Sequence, residues 1–394
     1  MVDITHQAAI NPASARDVAM ARAPVPLAAV DAGQWRALAQ RAIEPNGYYL
    51  PAWELAVSAS ARGRTDASAL TAFDDSSVRL IGLMPVVSLW RALKIPGPAL
   101  VSAHPYGTLC SPLLDRDAPL EAAARLLQQA REAGAHALVL TDVALDGAAM
   151  ASLEQVLKRD GLKPRILSSY IRASLDATQD GETLLREALG AKKLKELRRQ
   201  RHRLEEHGPV AFEIARSSDE IGRALESFLQ LESSGWKGKR GTALVQHAGD
   251  ATFIRRAVPA LAETAQCEIV TLRAGATPIA AGIVLRHGDR AFFFKLGIDE
   301  RFARYSPGVQ LTLDLTRHLC ADPTIASADS TANADHPMIN PIWRGRFAIG
   351  DVLIPLRRND PVVGLIHAAL TTLRLAHDTA RKVVHMIRRT RRIA

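Results

Sequence analysis

Residues 299–319 read DERFARYSPGVQLTLDLTRHL, a polar run that turns at Ser306-Pro307-Gly308 into an amphipathic helix. Proline suits a first helical turn, and glycine permits close backbone approach. The first turn leaves N–H groups without intrahelical acceptors, and the helix dipole adds partial positive charge. Together they suit a bound anion such as a pyrophosphate, with Arg301 and Arg304 near enough to add charge. Every helix start offers such donors, so spacing alone leaves a plain helix start open beside an anion site.

Three strands must set this turn in place. They cover 268–273, 279–286 and 291–298, with turns at Gly275 and at His287-Gly288-Asp289, the signature of an antiparallel meander. A strand is expected near 324–329 and a last one near 347–356. Upstream, 192–207 reads as a basic helix with Leu194, Leu197 and Leu204 on one face. Ser217-Ser-Asp-Glu220 is a capping box that opens a helix with Ile221, Leu225 and Phe228 inward, and 232–241 is read as a loop. The earlier part of the chain alternates helices (near 31–43, from 48–53 onward, 120–133, 149–160) with a hairpin over 69–89 and strands at 137–142 and 166–175. The order is mixed α/β.

Four stretches in this order resemble a known family: Asn46-Gly-Tyr-Tyr-Leu-Pro-Ala-Trp53 with the helix before it; Leu80-Ile-Gly-Leu-Met-Pro-Val-Val87; the basic helix with Lys195-Glu-Leu-Arg-Arg199 and Leu204-Glu-Glu-His-Gly208; and Phe228-Leu-Gln-Leu-Glu-Ser-Ser-Gly-Trp-Lys237 followed by Tyr305-Ser-Pro-Gly308. Meander, loop and helix look like the core of the GNAT acyltransferases, in the BioF2-like or CelD (cellulose-biosynthesis) branch, similar to the FemABX tandem-GNAT transferases. The turn at 305–308 carries less Gly and Arg than the usual GNAT loop.

The resemblance implies an α/β fold of two tandem GNAT-like domains, at 27–176 and 177–358, after a disordered leader (1–26) and before a basic amphipathic tail (359–394). It implies acetyl-CoA or another acyl-CoA held by Arg301, Arg304, Tyr305, Ser306, Gly308, Val309 and Gln310. A small-molecule or saccharide acceptor, related to envelope or polysaccharide precursors, would meet Trp236, Lys237 and Lys295 in the cleft between domains. Direct transfer needs a base and donors to the thioester oxygen, not a covalent enzyme intermediate. Asp329, His336 and Glu232 are the candidate catalytic groups, with His336 favoured by an ordinary pKa near neutrality. A turn-forming Asp, a surface His and a solvated Trp loop stand as the structural alternatives. No metal is expected. An aminoacyl-tRNA-dependent FemABX-like transferase and a non-catalytic scaffold of a polysaccharide synthase are the competing functions.

Composition narrows the class. The chain has 394 residues, 47% of them hydrophobic and 23% charged, which suits a globular protein of two units. Three distant cysteines (Cys110, Cys267, Cys320) offer neither a disulfide framework nor a CxxC pair, which fits a reducing, cytoplasmic setting. The net charge is +9, but 374–394 alone holds seven Arg/Lys against Asp378. Basicity is therefore mainly a tail property. The basic helix has no interleaved aromatics, so no specific nucleic-acid partner is expected. The tail either docks on the domain or touches an anionic membrane surface.

Overall fold

The computed structural model describes residues 23–76 and 78–390. The expectations for 1–22, and for the side chains of 377, 378 and 380–394, lie outside the described residues.

The first half supplies β1 (Val25–Pro26), α1 (Ala32–Gln40), α2 (Pro51–Ser60), β2 (Ser68–Phe73), β3 (Leu80–Ser88), α3 (Leu89–Leu93), β4 (Ala99–Ser102), β5 (Leu113–Leu114), α4 (Pro119–Glu132), β6 (Ala137–Ala144), α5 (Ala148–Arg159) and β7 (Arg165–Asp176). The second half supplies α6 (Gly181–Leu204), β8 (Val210–Ala215), α7 (Ser218–Ser234), α8 (Trp236–Lys239), α9 (Ala248–Ala262), β9 (Cys267–Ala274), β10 (Thr277–His287), β11 (Arg290–Ile298), α10 (Pro307–Ala321), β12 (Ser327–Asp329), β13 (Gly345–Pro355) and α11 (Pro361–Thr390). Local chemistry explains several boundaries. Asp31 caps α1 by accepting from the Gln34 N–H, Pro51 opens α2, and Ser217 with Glu220 forms the expected capping box.

Among the described residues the strands form one mixed sheet, ordered β1-β2-β3-β4-β6-β13-β7-β12-β11-β10-β9-β8, with β5 on β3. Two pairs are parallel, β4 with β6 and β11 with β12, and each is joined through a helix (α4 and α10). The two halves therefore repeat one strand–helix–strand plan, although no residue-level repeat links them. Strands β9 to β11 read as near-continuous apolar runs because both faces are covered. Ile269, Ile283, Leu285 and Phe292 face the core with α2, α7 and α9. Val270, Leu272, Val284 and Phe293 face α6 and α10.

The structure changes several expectations. Val25–Pro26, assigned to the leader, pairs with Ser68–Ala69 at the sheet edge. The helix expected from Lys192 starts at Gly181 and bends at Gly190, where φ is 71°. The 232–241 loop contains the helical turn α8, and Glu300–Tyr305 is a 3-10 turn. The strand 345–355, placed with the second unit, pairs with β6 on one side and β7 on the other. β7, placed with the first unit, pairs among the described residues only with β13 and β12. The closing strands of the two halves are thus interlocked, and 176/177 does not divide the sheet. No helix among the described residues is long and apolar enough to cross a membrane.

Candidate active site

β11 and β12 run parallel for three residue pairs, Arg290–Ser327 to Phe292–Asp329, and then part. The fork opens a cavity of about 350 Å³. One wall is the continuation of β11 (Phe293, Phe294, Lys295, Leu296, Ile298). The other is the segment after β12 (Ser330, Thr331, Ala332, Asn333), with His336, Met338, Trp236 and Lys237 at its rim. Strand separation exposes unpaired edge groups, so the fork supplies apolar walls and backbone donors together.

α10 begins against this cavity. A Cβ added to Gly308 would stand 3.0 Å from Leu296 Cδ2, 3.3 Å from Ile298 Cγ2 and 3.3 Å from Met338 Sδ, three lining residues. Glycine is what lets the first turn approach so closely. Ser306 enters the helix in the left-handed region (φ 54°) with no side-chain cap. With Pro307 at N1, the Gly308 and Val309 N–H groups have no intrahelical acceptor. Val309 is half-buried beside them.

The other residues expected at the donor turn divide. Arg304 stacks its guanidinium 4.7 Å from the Tyr305 ring centre and has no ion pair among the described residues. Arg301 is instead turned back on Asp299, with Nη2 2.7 Å from Oδ2, and that pair holds the Asp299 carboxyl below its usual range. Tyr305 is buried, its hydroxyl 3.0 Å from His207 Nε2, so it supports the turn from beneath. The Gln310 side chain donates to the Leu197 carbonyl at 2.8 Å and ties α10 to α6. These last two are structural groups, because their polar atoms are already used inside the fold.

Glu232 and Lys237, five residues apart, meet the distant Lys295 at the cavity. Glu232 is buried and its Oε1 lies 3.2 Å from Lys295 Nζ and 3.4 Å from Lys237 Nζ, while Oε2 accepts from the Leu244 N–H at 2.9 Å. Lys237 also donates to the Leu296 carbonyl at 3.0 Å. Two ammoniums share one carboxylate, leaving net positive charge. Burial lowers the Lys237 pKa, Lys295 lowers it further, and Glu232 opposes both. Glu232 is an anchor for two cations and offers no free base. Trp236 is half exposed at the rim, its backbone N–H bonded to Glu300 and Arg240 stacked 5.0 Å from its ring centre.

His336 lines the cavity, and its Nδ1 accepts from the Met338 N–H at 3.4 Å. Burial, with the Lys237 charge, lowers its pKa, so the imidazole is neutral at pH 7. Asp329 departs from the expected role. It is 1% exposed, its Oδ2 pairs with Arg172 Nη2, and its Oδ1 accepts from the Thr331 N–H at 2.9 Å. Arg172 also donates to the Thr108 carbonyl at 2.6 Å. Asp329 therefore clamps β12 to β7 and to the 105–108 loop behind the cavity.

That loop is the first half's contribution. Trp53 Nε1 donates to the Pro105 carbonyl at 2.6 Å, and Tyr106, at φ 58°, donates its hydroxyl to Asp250 at 2.9 Å. Lys295 Nζ lies 5.8 Å from the Tyr106 ring centre and 5.7 Å from that of Phe294. Sequence reading did not single out Arg172, Tyr106, Phe294 or Thr331. Only Tyr106 had a visible signal, its place in the Pro-Tyr-Gly-Thr turn.

Residues 191–336, from within α6 to His336, match the family of acetyltransferase (GNAT) domains. No curated protein matches the chain. Among solved structures, FemX is 12% identical with a TM-score of 0.56, covering 86% of this chain and 98% of its own. The C-terminal domain of a protein described as a lysylphosphatidylglycerol synthetase from Agrobacterium fabrum is 13% identical, with a TM-score of 0.53 and coverage of 86% and 95%. A conserved protein of unknown function from Bacteroides thetaiotaomicron is 12% identical, with a TM-score of 0.50 and coverage of 83% and 98%. At such identities the likeness is one of fold.

Proposed function

We propose that the molecule, whose fold is mixed α/β with a region that matches acetyltransferase (GNAT) domains, is a tandem-GNAT-like transferase that moves an acyl group from acyl-CoA to an amine or hydroxyl of an acceptor. The observation that carries this reading is the β11/β12 fork with the Gly308 turn against its wall. The Gly308 and Val309 N–H groups and Arg304 would hold the diphosphate of the donor, and the fork would take its acyl arm. Acyl-CoA, when bound, supplies an activated acyl carbon.

His336, neutral at pH 7, takes the proton from the attacking nitrogen or oxygen as that atom bonds to the acyl carbon. The carbon–sulfur bond breaks, and the thiolate leaves and is protonated. Lys237 and Lys295 place positive charge beside the Leu296 strand segment, where negative charge develops on the acyl oxygen. Glu232 keeps both ammoniums in position. An envelope or polysaccharide-related acceptor is part of this reading and would enter past Trp236 and Tyr106.

The test is a thermal-shift and calorimetric titration with CoA, acetyl-CoA and longer acyl-CoAs, beside one with tRNA. Stabilisation by CoA esters, weakened in Gly308→Ala, is the expected result. Stabilisation by tRNA with none from any CoA ester would overturn the reading in favour of an aminoacyl-tRNA-dependent transferase. If neither binds, the scaffold alternative gains.

A further inference from the structure

α11 docks through Val363, Ile366 and Leu370, which are buried with Leu89 of α3 and with Val101, Val139 and Leu353 of the sheet. A Cβ on Gly97 would stand 3.5 Å from Leu89 and 3.6 Å from Ile366, so the segment after α3 is wedged between α3 and α11. Outside this shared core both helices present large apolar groups to solvent. Leu365 is 71% exposed, Leu375 63% and Trp90 57%. Trp35, Trp53 and Trp343 are by contrast wholly buried, each with its indole N–H bonded. Trp90 is more than half exposed among the described residues, and Lys94 Nζ lies 5.9 Å from its ring centre.

The acidic groups on this side are paired. Asp66 pairs with Arg91, Asp360 with His136, and Asp351 with Arg374. Lys94 has no ion pair among the described residues. Beyond Arg374 the sequence adds Arg381, Lys382, Arg388, Arg389, Arg391 and Arg392 against Asp378. An indole beside a lysine, isolated exposed leucines and a sequence rich in Arg and Lys after Arg374 make up the chemistry of an element lying in a bilayer interface. Each basic residue near an anionic surface strengthens binding by about fivefold, so a few suffice alongside modest apolar burial.

We propose that the α3–α11 face docks the protein on an anionic lipid bilayer, with Trp90 and Leu365 entering the headgroup region, Lys94 at the lipid phosphates and the Arg/Lys-rich sequence after Arg374 adding to the attraction. The occupant is the bilayer, because interfacial residue types on adjoining helices, Lys94 beside Trp90 and a basic sequence after Arg374 belong to one stretch of the fold. The proposal is independent of the acyl donor and of the acceptor.

Flotation of the full-length protein with vesicles tests it, using phosphatidylglycerol mixed into phosphatidylcholine against phosphatidylcholine alone. The protein should float with the anionic vesicles, leave the neutral ones, and be released by salt. Lipids brominated in the upper acyl chain should quench its fluorescence, and Trp90→Phe should abolish the quenching. Trp90→Ala should weaken binding about tenfold, with an unchanged melting temperature because the side chain is exposed. Absence of flotation overturns the proposal. So does quenching that survives in Trp90→Phe, which would place Trp236 at the lipid. Flotation lost in Arg388→Glu/Arg389→Glu but untouched by Trp90→Ala reduces the contact to a tail tether and also overturns it, as does equally tight binding to soluble polyglutamate.

Discussion

Three carboxylates near the cavity look alike in sequence and differ in what surrounds them. Asp329 faces a guanidinium with both groups out of water, and Glu232 faces two ammoniums. Removing one partner of a buried ion pair costs about 3–5 kcal/mol, because the other charge is left unmatched. Asp329→Asn should therefore lower the melting temperature sharply, and any acyl-transfer defect should follow the folded fraction. Asp250 receives the Tyr106 hydroxyl and the Arg62 N–H and only sets the loop. His336→Ala should leave melting and CoA binding near the parent values and reduce turnover by about 10²–10⁴-fold; intact turnover would remove it from the mechanism. Because the His336 pKa is lowered, activity should rise with pH through a value below 6.5 and be level at neutrality. Lys237→Ala removes a nearby positive charge, so that limb should move to higher pH.

At the scale of elements the decisive contact is α10 on β11. Placing Ala at a helical Gly gains about 1 kcal/mol in propensity. Forcing a methyl into a packed contact costs about 1–3 kcal/mol. At Gly308 the added carbon would press on Leu296, Ile298 and Met338. The two effects nearly offset, so Gly308→Ala should change melting little while narrowing the cavity and weakening CoA binding about tenfold or more. Calorimetry reads both quantities in one preparation. Equal binding in parent and variant would mean the first turn does not border the donor.

Across the whole molecule the halves are joined by strand exchange and by a histidine. β6 and β7 are neighbours only through β13, so a fragment ending at 176 keeps an open β6 edge and an unpaired β7. Exposed edges of that kind aggregate. The fragment should be insoluble alone and be rescued by co-expression with 177–394. His287 of the second half accepts from the Asn46 N–H at 2.8 Å through Nδ1 and donates to the Ala39 carbonyl at 2.8 Å through Nε2. Only the neutral ring does both. Burial holds its folded pKa below 6.5, with Arg290 acting the same way, while its two backbone bonds and Asp289 oppose. A depressed pKa means the stabilisation is complete above 6.5 and is lost as pH falls through the folded value. Melting temperature should drop on acidification below pH 6.5, less steeply in His287→Gln.

Sequence by itself determined the periodic and locally signalled parts. The meander, the capping box, the Pro-Gly helix start and the mixed order of elements are written in neighbouring residues, and local backbone chemistry decides them. It also brought forward Lys237, Lys295, His336 and Gly308, which the fold gathers round one cavity. It did not determine what each polar group spends its bonds on. Asp329 and Glu232 read as bases until Arg172, 157 residues away, and Lys295, 63 residues away, took them. Nor could it place β13 between β6 and β7, because an apolar strand buried on both faces carries no mark of its partners. Those outcomes depend on which distant charges and strand edges the packed sheet brings within a few ångströms, a property of the tertiary structure alone.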